Sequence, residues 1–129
     1  EKDLIHFDKR LRGEWDLAGI EKLLTKIISD NNGPDALFII SDIVALVAIR
    51  LAVKMGYDVP GELGIMGFDD RRMSKNSVIS LSSVFQPKYE MGRRGMELLL
   101  NYIEGRNGDA KNIYLDMKLS IRESTSRLT

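Results

Sequence analysis

A chain of 129 residues is long enough to bury one domain's core and too short for two domains. Its 19 basic and 19 acidic side chains cancel, so the summed charge offers no long-range attraction to nucleic acid, and this stretch is a poor candidate for a DNA reader. Cysteine is absent, which excludes disulfides and thiol chemistry; no apolar run reaches membrane-spanning length and no signal peptide opens the chain, so a cytoplasmic location is the default expectation.

Leu4-Ile5-His6-Phe7 reads as a short strand, followed by a polar loop over residues 8–15. A helix starts near Asp16, a suitable N-cap, with Leu17, Ile20, Leu24 and Ile27 at helical spacing, and Asn31-Asn32-Gly33-Pro34 ends it. Ala36-Leu37-Phe38-Ile39-Ile40 is a β-favouring run that stops at Ser41-Asp42. The next helix spans about 42–55 and is closed by Gly56 at C′. Its main stripe is Val44, Val47, Ala48, Leu51, Ala52 and Met55; a second row, Ile43, Leu46, Ile49 and Val53, is interrupted by Arg50 and Lys54. A helix apolar beyond one stripe is buried on more than one side, here by another helix of this chain or by a second subunit.

Leu63-Gly64-Ile65-Met66-Gly67-Phe68 is a second β-favouring run, ending at Asp69-Asp70. Residues 71–77 make a short helix or loop, and 82–85 a strand. Pro87 suits the first turn of a helix running to about 104 and stopped by Gly105, with Gly92, Met96, Leu99 and Ile103 on its tight face. Asn107-Gly108-Asp109 is a turn, and residues 113–115 and 119–122 are strand-like.

Continuous rather than alternating hydrophobicity in the two runs suits parallel strands covered on both faces, joined by a right-handed helical crossover. The expected fold class is α/β, an open parallel sheet with helices on both faces. Ligands of such sheets sit outside the carboxyl ends of the strands, where Ser41, Asp42, Asp69 and Asp70 fall.

Read in order, the segment from Pro34 to Arg50, then Gly56-Tyr57-Asp58-Val59-Pro60-Gly61-Glu62 running into Gly67-Phe68-Asp69-Asp70, resembles the effector domain of LacI/GalR-family transcriptional regulators. Ser82-Ser83-Val84-Phe85-Gln86-Pro87 is similar to that family's crossover strand, Met91-Gly92-Arg93-Arg94-Gly95-Met96 to its following helix, and Arg122-Glu123-Ser124-Thr125 to its closing strand. Four motifs in order and at the right separations cover nearly the whole chain. The resemblance implies a periplasmic-binding-protein type I-like fold: residues 1–84 and about 113–126 in the second of two lobes, and 87–105 as a crossover helix that normally packs on the first lobe. It implies that the DNA-binding domain and most of the first lobe lie outside this sequence. It further implies a homodimer with Ile43, Leu46, Ile49, Arg50 and Val53 at the interface, possibly with the helix 87–104 exchanged between subunits, and Trp15, Ser41 and Asp69 as effector contacts.

The residues themselves leave two uses open for Asp69 and Asp70: a carboxylate accepting paired hydroxyls of a sugar, or a cap on the following helical turn. The resemblance assigns Asp69 to the ligand and Asp70 to the cap. Trp15, the single tryptophan, offers a flat apolar face to sugar C–H groups or else anchors the edge of the core. Ser41 stands where many members of the family carry asparagine, and its hydroxyl is a lesser contact; Asp42 reads as a helix cap. His6 has no metal-sharing neighbour and reads as a structural strand residue. Lys9, Arg10 and Arg12, like Arg71, Arg72 and Lys75, read as solvated loops with anion binding as a minor option; Met91, Met96 and Met117 read as packing.

The leading function is therefore a sensor of a sugar or similar polar metabolite that controls DNA binding allosterically, without catalysis, cofactor or metal. A sugar-binding protein of a transport system is the alternative. A phosphoacceptor domain, with carboxylates holding Mg²⁺, wants an acidic pair after the first strand and a lysine at a later strand end; Asp8 stands alone and Lys88 opens a helix. No Ser/His/Asp set, Gly-rich phosphate loop or metal spacing supports other chemistry.

Overall fold

Among the described residues, three parallel strands and one returning strand form the sheet that sets up the strand-end edge. The computed structural model describes residues 17–30, 33–106 and 112–126. The elements are α1 (Leu17–Ile28), β1 (Ala36–Phe38), α2 (Asp42–Lys54), β2 (Gly64–Phe68), α3 (Arg72–Lys75), β3 (Ser82–Phe85), α4 (Lys88–Ile103), β4 (Lys118–Ser120) and a closing 3-10 turn, Glu123–Thr125. Strand order is β1-β2-β3-β4, with β1 parallel to β2 (Leu37 beside Ile65) and β2 parallel to β3 (Gly67 beside Ser83). The expected α/β open sheet is present, mostly parallel; β4 departs by running antiparallel to β3, pairing Val84 with Leu119, as the chain returns along the outer edge after α4.

The core lies between α1, α2 and the sheet. Ile20, Leu24 and Ile28 of α1 are buried together with Ala45, Ala48 and Ile49 of α2 and Ile65 of β2. Alanines at 45, 48 and 52 let the α2 backbone approach the sheet closely, and all three are fully buried. The helix ends cleanly: Gly56 takes φ +90°, its N–H donates to the Val53 carbonyl and the Tyr57 N–H reaches back to Ala52. That pairing satisfies the last carbonyls and demands a left-handed residue, hence glycine. The Tyr57 hydroxyl then donates to the Ile28 carbonyl at 2.7 Å, tying the end of α1 to the end of α2.

The second row of α2 is thus partly explained within the chain. Ile49 is only 5% exposed because α1 covers it, and Arg50 pairs with Glu21 of α1. Those two residues, expected at a subunit interface, are engaged intramolecularly. Leu46 packs against the core, Ile43 is half-buried and Val53 stays 50% exposed.

Helical covering of both sheet faces is not seen over β1 among the described residues. Phe38, on the face opposite Leu37 and Ile65, is 60% exposed and meets Phe68 edge-on at 6.4 Å. Residues 112–117, part of which reads as strand-like in the sequence, have no regular structure, and Tyr114 is exposed.

α4 has no buried residue; Met96, Leu99 and Ile103 are each at least half exposed. It is held instead by local charge pairs, Arg93 with Glu90 at 2.8 Å and with Glu97, and by Gly105 at φ +67° closing its end. The strand candidate at 4–7, His6, Asp8, Trp15, the basic cluster at 9–12 and the turn at 107–109 lie outside the described residues.

Candidate functional site

The ends of β2 and β3 converge on Asp69. Its N–H continues the ladder to the Val84 carbonyl at 3.0 Å, and the chain then turns sharply, with φ +125° at Asp69 and +48° at Asp70. Left-handed conformations are uncommon for residues with a Cβ, and aspartate tolerates them better than most. The turn throws the two carboxylates to different partners.

Asp69 receives the Gln86 amide (Nε2 to Oδ1, 2.9 Å), Arg71 Nε on Oδ2 at 3.3 Å and the Lys88 ammonium on Oδ1 at 3.1 Å. Lys88 Nζ also bonds the Asp69 carbonyl at 3.0 Å. The carboxylate is 19% exposed beneath two half-exposed cations. Burial pushes its pKa up, but hydrogen bonds and charge from Lys88 and Arg71 outweigh this and hold it below the ordinary carboxylate value.

Asp70 was expected to cap the following turn and does not. Its side chain turns toward the closing strand, accepting Arg122 Nη2 at 2.5 Å and the Ser120 hydroxyl at 2.9 Å. Burial again raises its pKa, and Arg122 with Ser120 more than reverses this, so it too lies below the usual range. The N-cap of α3 is Arg71, without a side-chain cap bond.

Asp42 is neither helix cap nor ligand contact. It is fully buried and accepts three short bonds, from the Arg71 N–H (2.7 Å), the Ser74 hydroxyl (2.6 Å) and the Ser83 hydroxyl (2.6 Å). Ser83 in turn accepts the Asp70 N–H at 3.0 Å. One carboxylate at the start of α2 thereby fixes both flanks of the 69–71 turn. Gly67 makes room for it: a Cβ there would lie 2.3 Å from Asp42 Oδ1.

The closing motif locks the same region. Ser124 Oγ accepts the Ser82 N–H at 2.8 Å and donates to the Ile65 carbonyl at 2.6 Å, while Arg122 Nη1 donates to the Leu81 carbonyl. All of these groups are satisfied, as buried polar atoms require.

Of the three residues expected to contact an effector, Asp69 sits in a charged, partly open cluster. Ser41 is the N-cap residue of α2, half-buried, and makes no side-chain cap bond. Trp15 lies outside the described residues. The sequence singles out neither Gln86 nor Lys88 as a contact and gives Arg71 only a minor anion-binding option, although the rule that picks strand ends applies equally to Gln86 and Lys88 just past β3. A phosphoacceptor arrangement needs a second acid beside Asp69, and Asp70 faces away to Arg122. An open trough of about 510 Å³ runs along α4 between Lys88 and Leu100, meeting the strand-end cluster only at Lys88.

Known proteins share this family and fold. The family model described as "Periplasmic binding protein-like domain" matches residues 6–125. The chain is 33% identical over 117 residues to the HTH-type transcriptional repressor CytR of Escherichia coli (strain K12), covering 91% of this chain and 34% of that protein. It is 35% identical over 108 residues to catabolite control protein A of Priestia megaterium, covering 84% and 32%. It thus spans about a third of the length of the curated relatives it matches. Among solved structures, a complex of the transcriptional regulator CelR with cellobiose superposes with TM-score 0.77 at 28% identity, over 87% of this chain and 34% of that one. A LacI family regulator from Lactobacillus casei with bound sucrose gives 0.68 at 28%, over 81% and 39%. These relatives are transcriptional regulators, not enzymes.

Proposed function

Because this chain belongs to the periplasmic binding protein-like domain family, in the form shared with LacI-type transcriptional regulators, we propose that it is the effector-sensing part of such a regulator. The effector is a sugar or a similar small polar metabolite, bound and released unchanged. A cytoplasmic location goes with that role. The observation that carries the reading is the Asp69 carboxylate: anchored at the end of β2, ionised under the influence of its neighbours and still partly open to solvent. A carboxylate so placed accepts neighbouring hydroxyls with charge-assisted bonds. The relatives' bound cellobiose and sucrose are ligands of that kind.

In this proposal residues 1–84 and about 113–126 form one wall of the effector cleft, α4 crosses to the other lobe, and the regulator is a homodimer whose DNA reader lies elsewhere in the full-length protein. Ile43, Leu46 and Val53 remain the α2 residues available to a partner subunit. Effector acts by differential affinity for two lobe arrangements, a coupling of about 1–3 kcal/mol. A sugar-binding transport protein has the same fold; the regulator reading is favoured by the Arg122-Glu123-Ser124-Thr125 ending and the Gly67-Phe68-Asp69-Asp70 turn, which resemble those of the regulators.

The test is calorimetric titration of the full-length protein with a panel of sugars and nucleosides, repeated with Asp69→Ala. A ligand bound by the native protein and lost in the variant is the expected result. Binding that survives the substitution unchanged would remove Asp69 from the site.

A further inference from the structure

We propose that the effector carries an anionic group, a carboxylate or a phosphate, beside its hydroxyls, and that Arg71 with Lys88 recognises it. This rests on Asp69 being in the effector site and adds the chemical class of the ligand.

The donor count at the strand ends is lopsided. A guanidinium has five N–H donors and an ammonium three. Arg71 uses Nε on Asp69, and its four terminal N–H groups have no protein acceptor among the described residues. Lys88 uses two donors, on the Asp69 carbonyl and carboxylate, leaving one. On the acceptor side, Asp69 Oδ1 already holds Gln86 and Lys88, so what remains is a site on Oδ2 and the Gln86 amide oxygen. A ligand seated on this edge meets a guanidinium fork and an ammonium that water otherwise solvates, and it binds best if it brings acceptors for them together with a hydroxyl that donates to Oδ2.

Charge points the same way. The whole chain is neutral, yet here four cations, Arg71, Lys75, Lys88 and Arg122, stand against three carboxylates, Asp42, Asp69 and Asp70; Asp42 is sealed in the interior and the shielded Asp70–Arg122 pair neutralises itself. Asp69 lies beneath, 19% exposed, while Arg71 and Lys88 stand above it at 49% and 52%. Arg71 is not a free loop residue either. Its backbone N–H is pinned 2.7 Å from the fully buried Asp42, and its Nε is held by Asp69, so the guanidinium is aimed before any ligand arrives. A planar, oriented fork suits carboxylate or phosphate oxygens in a two-pronged contact, and charged acceptors bind it more strongly than hydroxyls do.

The experiment compares matched neutral and charged probes on the full-length protein by calorimetry: glucose, glucuronate and glucose 6-phosphate; ribose and ribose 5-phosphate; and inorganic phosphate alone. We expect a charged sugar to bind at least about tenfold tighter than its neutral counterpart, a gain that shrinks as salt rises. Glucuronate against glucose 6-phosphate separates the carboxylate from the phosphate source, and weak binding of inorganic phosphate shows that hydroxyls are needed too. Arg71→Gln should abolish the preference and Arg71→Lys retain part of it; neither touches the backbone bond to Asp42, so both should fold. Neutral sugars binding as tightly as charged ones, no binding by any charged sugar, or a preference untouched by Arg71→Gln would overturn the assignment. If neutral sugars bind and only Asp69→Ala removes them, the anion assignment falls while the sensing site stands; if binding of every sugar survives Asp69→Ala, both fall.

Discussion

Lys88, the first residue of α4, bonds both the carbonyl and the carboxylate of Asp69, at 3.0 and 3.1 Å. No residue of α4 is buried, so this contact is a principal tether between that helix and the sheet edge. A ligand that engages Asp69 competes for the same ammonium. Lys88→Met should therefore lower hydrogen-exchange protection of the first two turns of α4 in the free protein, and effector should no longer change that protection. Unaltered protection in the variant would mean that α4 is held by something else.

The buried carboxylate of Asp42 makes a second prediction. Asp42→Ala leaves the Arg71 N–H and two serine hydroxyls without their acceptor, at a cost of about 1–3 kcal/mol for each group that water cannot reach. Urea denaturation should show a loss of about 3 kcal/mol or more. Gly67→Ala should destabilise by forcing the same carboxylate aside. The two losses should not add, because the second change injures a contact that the first has already deleted.

Acid should weaken the fold through Asp69 and Asp70. Both pKa values are depressed in the folded chain, so their stabilisation is fully present above the ordinary value of 3.8 and is lost as pH falls through the lower folded values. Denaturation midpoints should drop between about pH 5 and pH 2. Arg122→Met should flatten that dependence more than Lys88→Met does, because the Asp70–Arg122 pair is shielded (7% and 15% exposed) whereas Lys88 is half in water. Equal slopes in the two variants would contradict the ranking.

Met96, Leu99 and Ile103 give the isolated chain a sticky helix. Sedimentation velocity should show self-association of the 129-residue chain that Leu99→Lys with Ile103→Lys reduces. Val53→Lys separates the two surfaces: if it alone yields monomers, α2 and not α4 forms the contact.

Local patterns were enough to locate β3, α2 and the glycine stops at 56 and 105, because each depends on neighbours in sequence. The family likeness was legible for a related reason, since its motifs are contiguous words. Asp42 and Asp70 read as caps in the sequence because their partners lie far along the chain: Ser83 is 41 residues from Asp42 and Arg122 is 52 from Asp70. Beside a helix start, an aspartate meant for such a distant partner looks the same as one meant for the first turn. Lys88 escaped notice as a contact because it opens a helix, where a side chain that folds back toward a strand leaves no periodic trace. Nothing local to Ile49 and Arg50 marks them as partners of α1, whose Glu21 lies 29 residues from Arg50, so in the sequence they look available to a subunit.

The hydroxyl of Ser83 donates a hydrogen bond to Asp42 and accepts one from the Asp70 amide. Swinging the aspartate pair into a relaxed geometry would orphan a donor and an acceptor inside the protein at once, so the unfavourable torsions at 69 and 70 are prepaid when the domain folds. At the proposed site an arriving guest would meet a main chain already shaped and spend less of its affinity on shaping it.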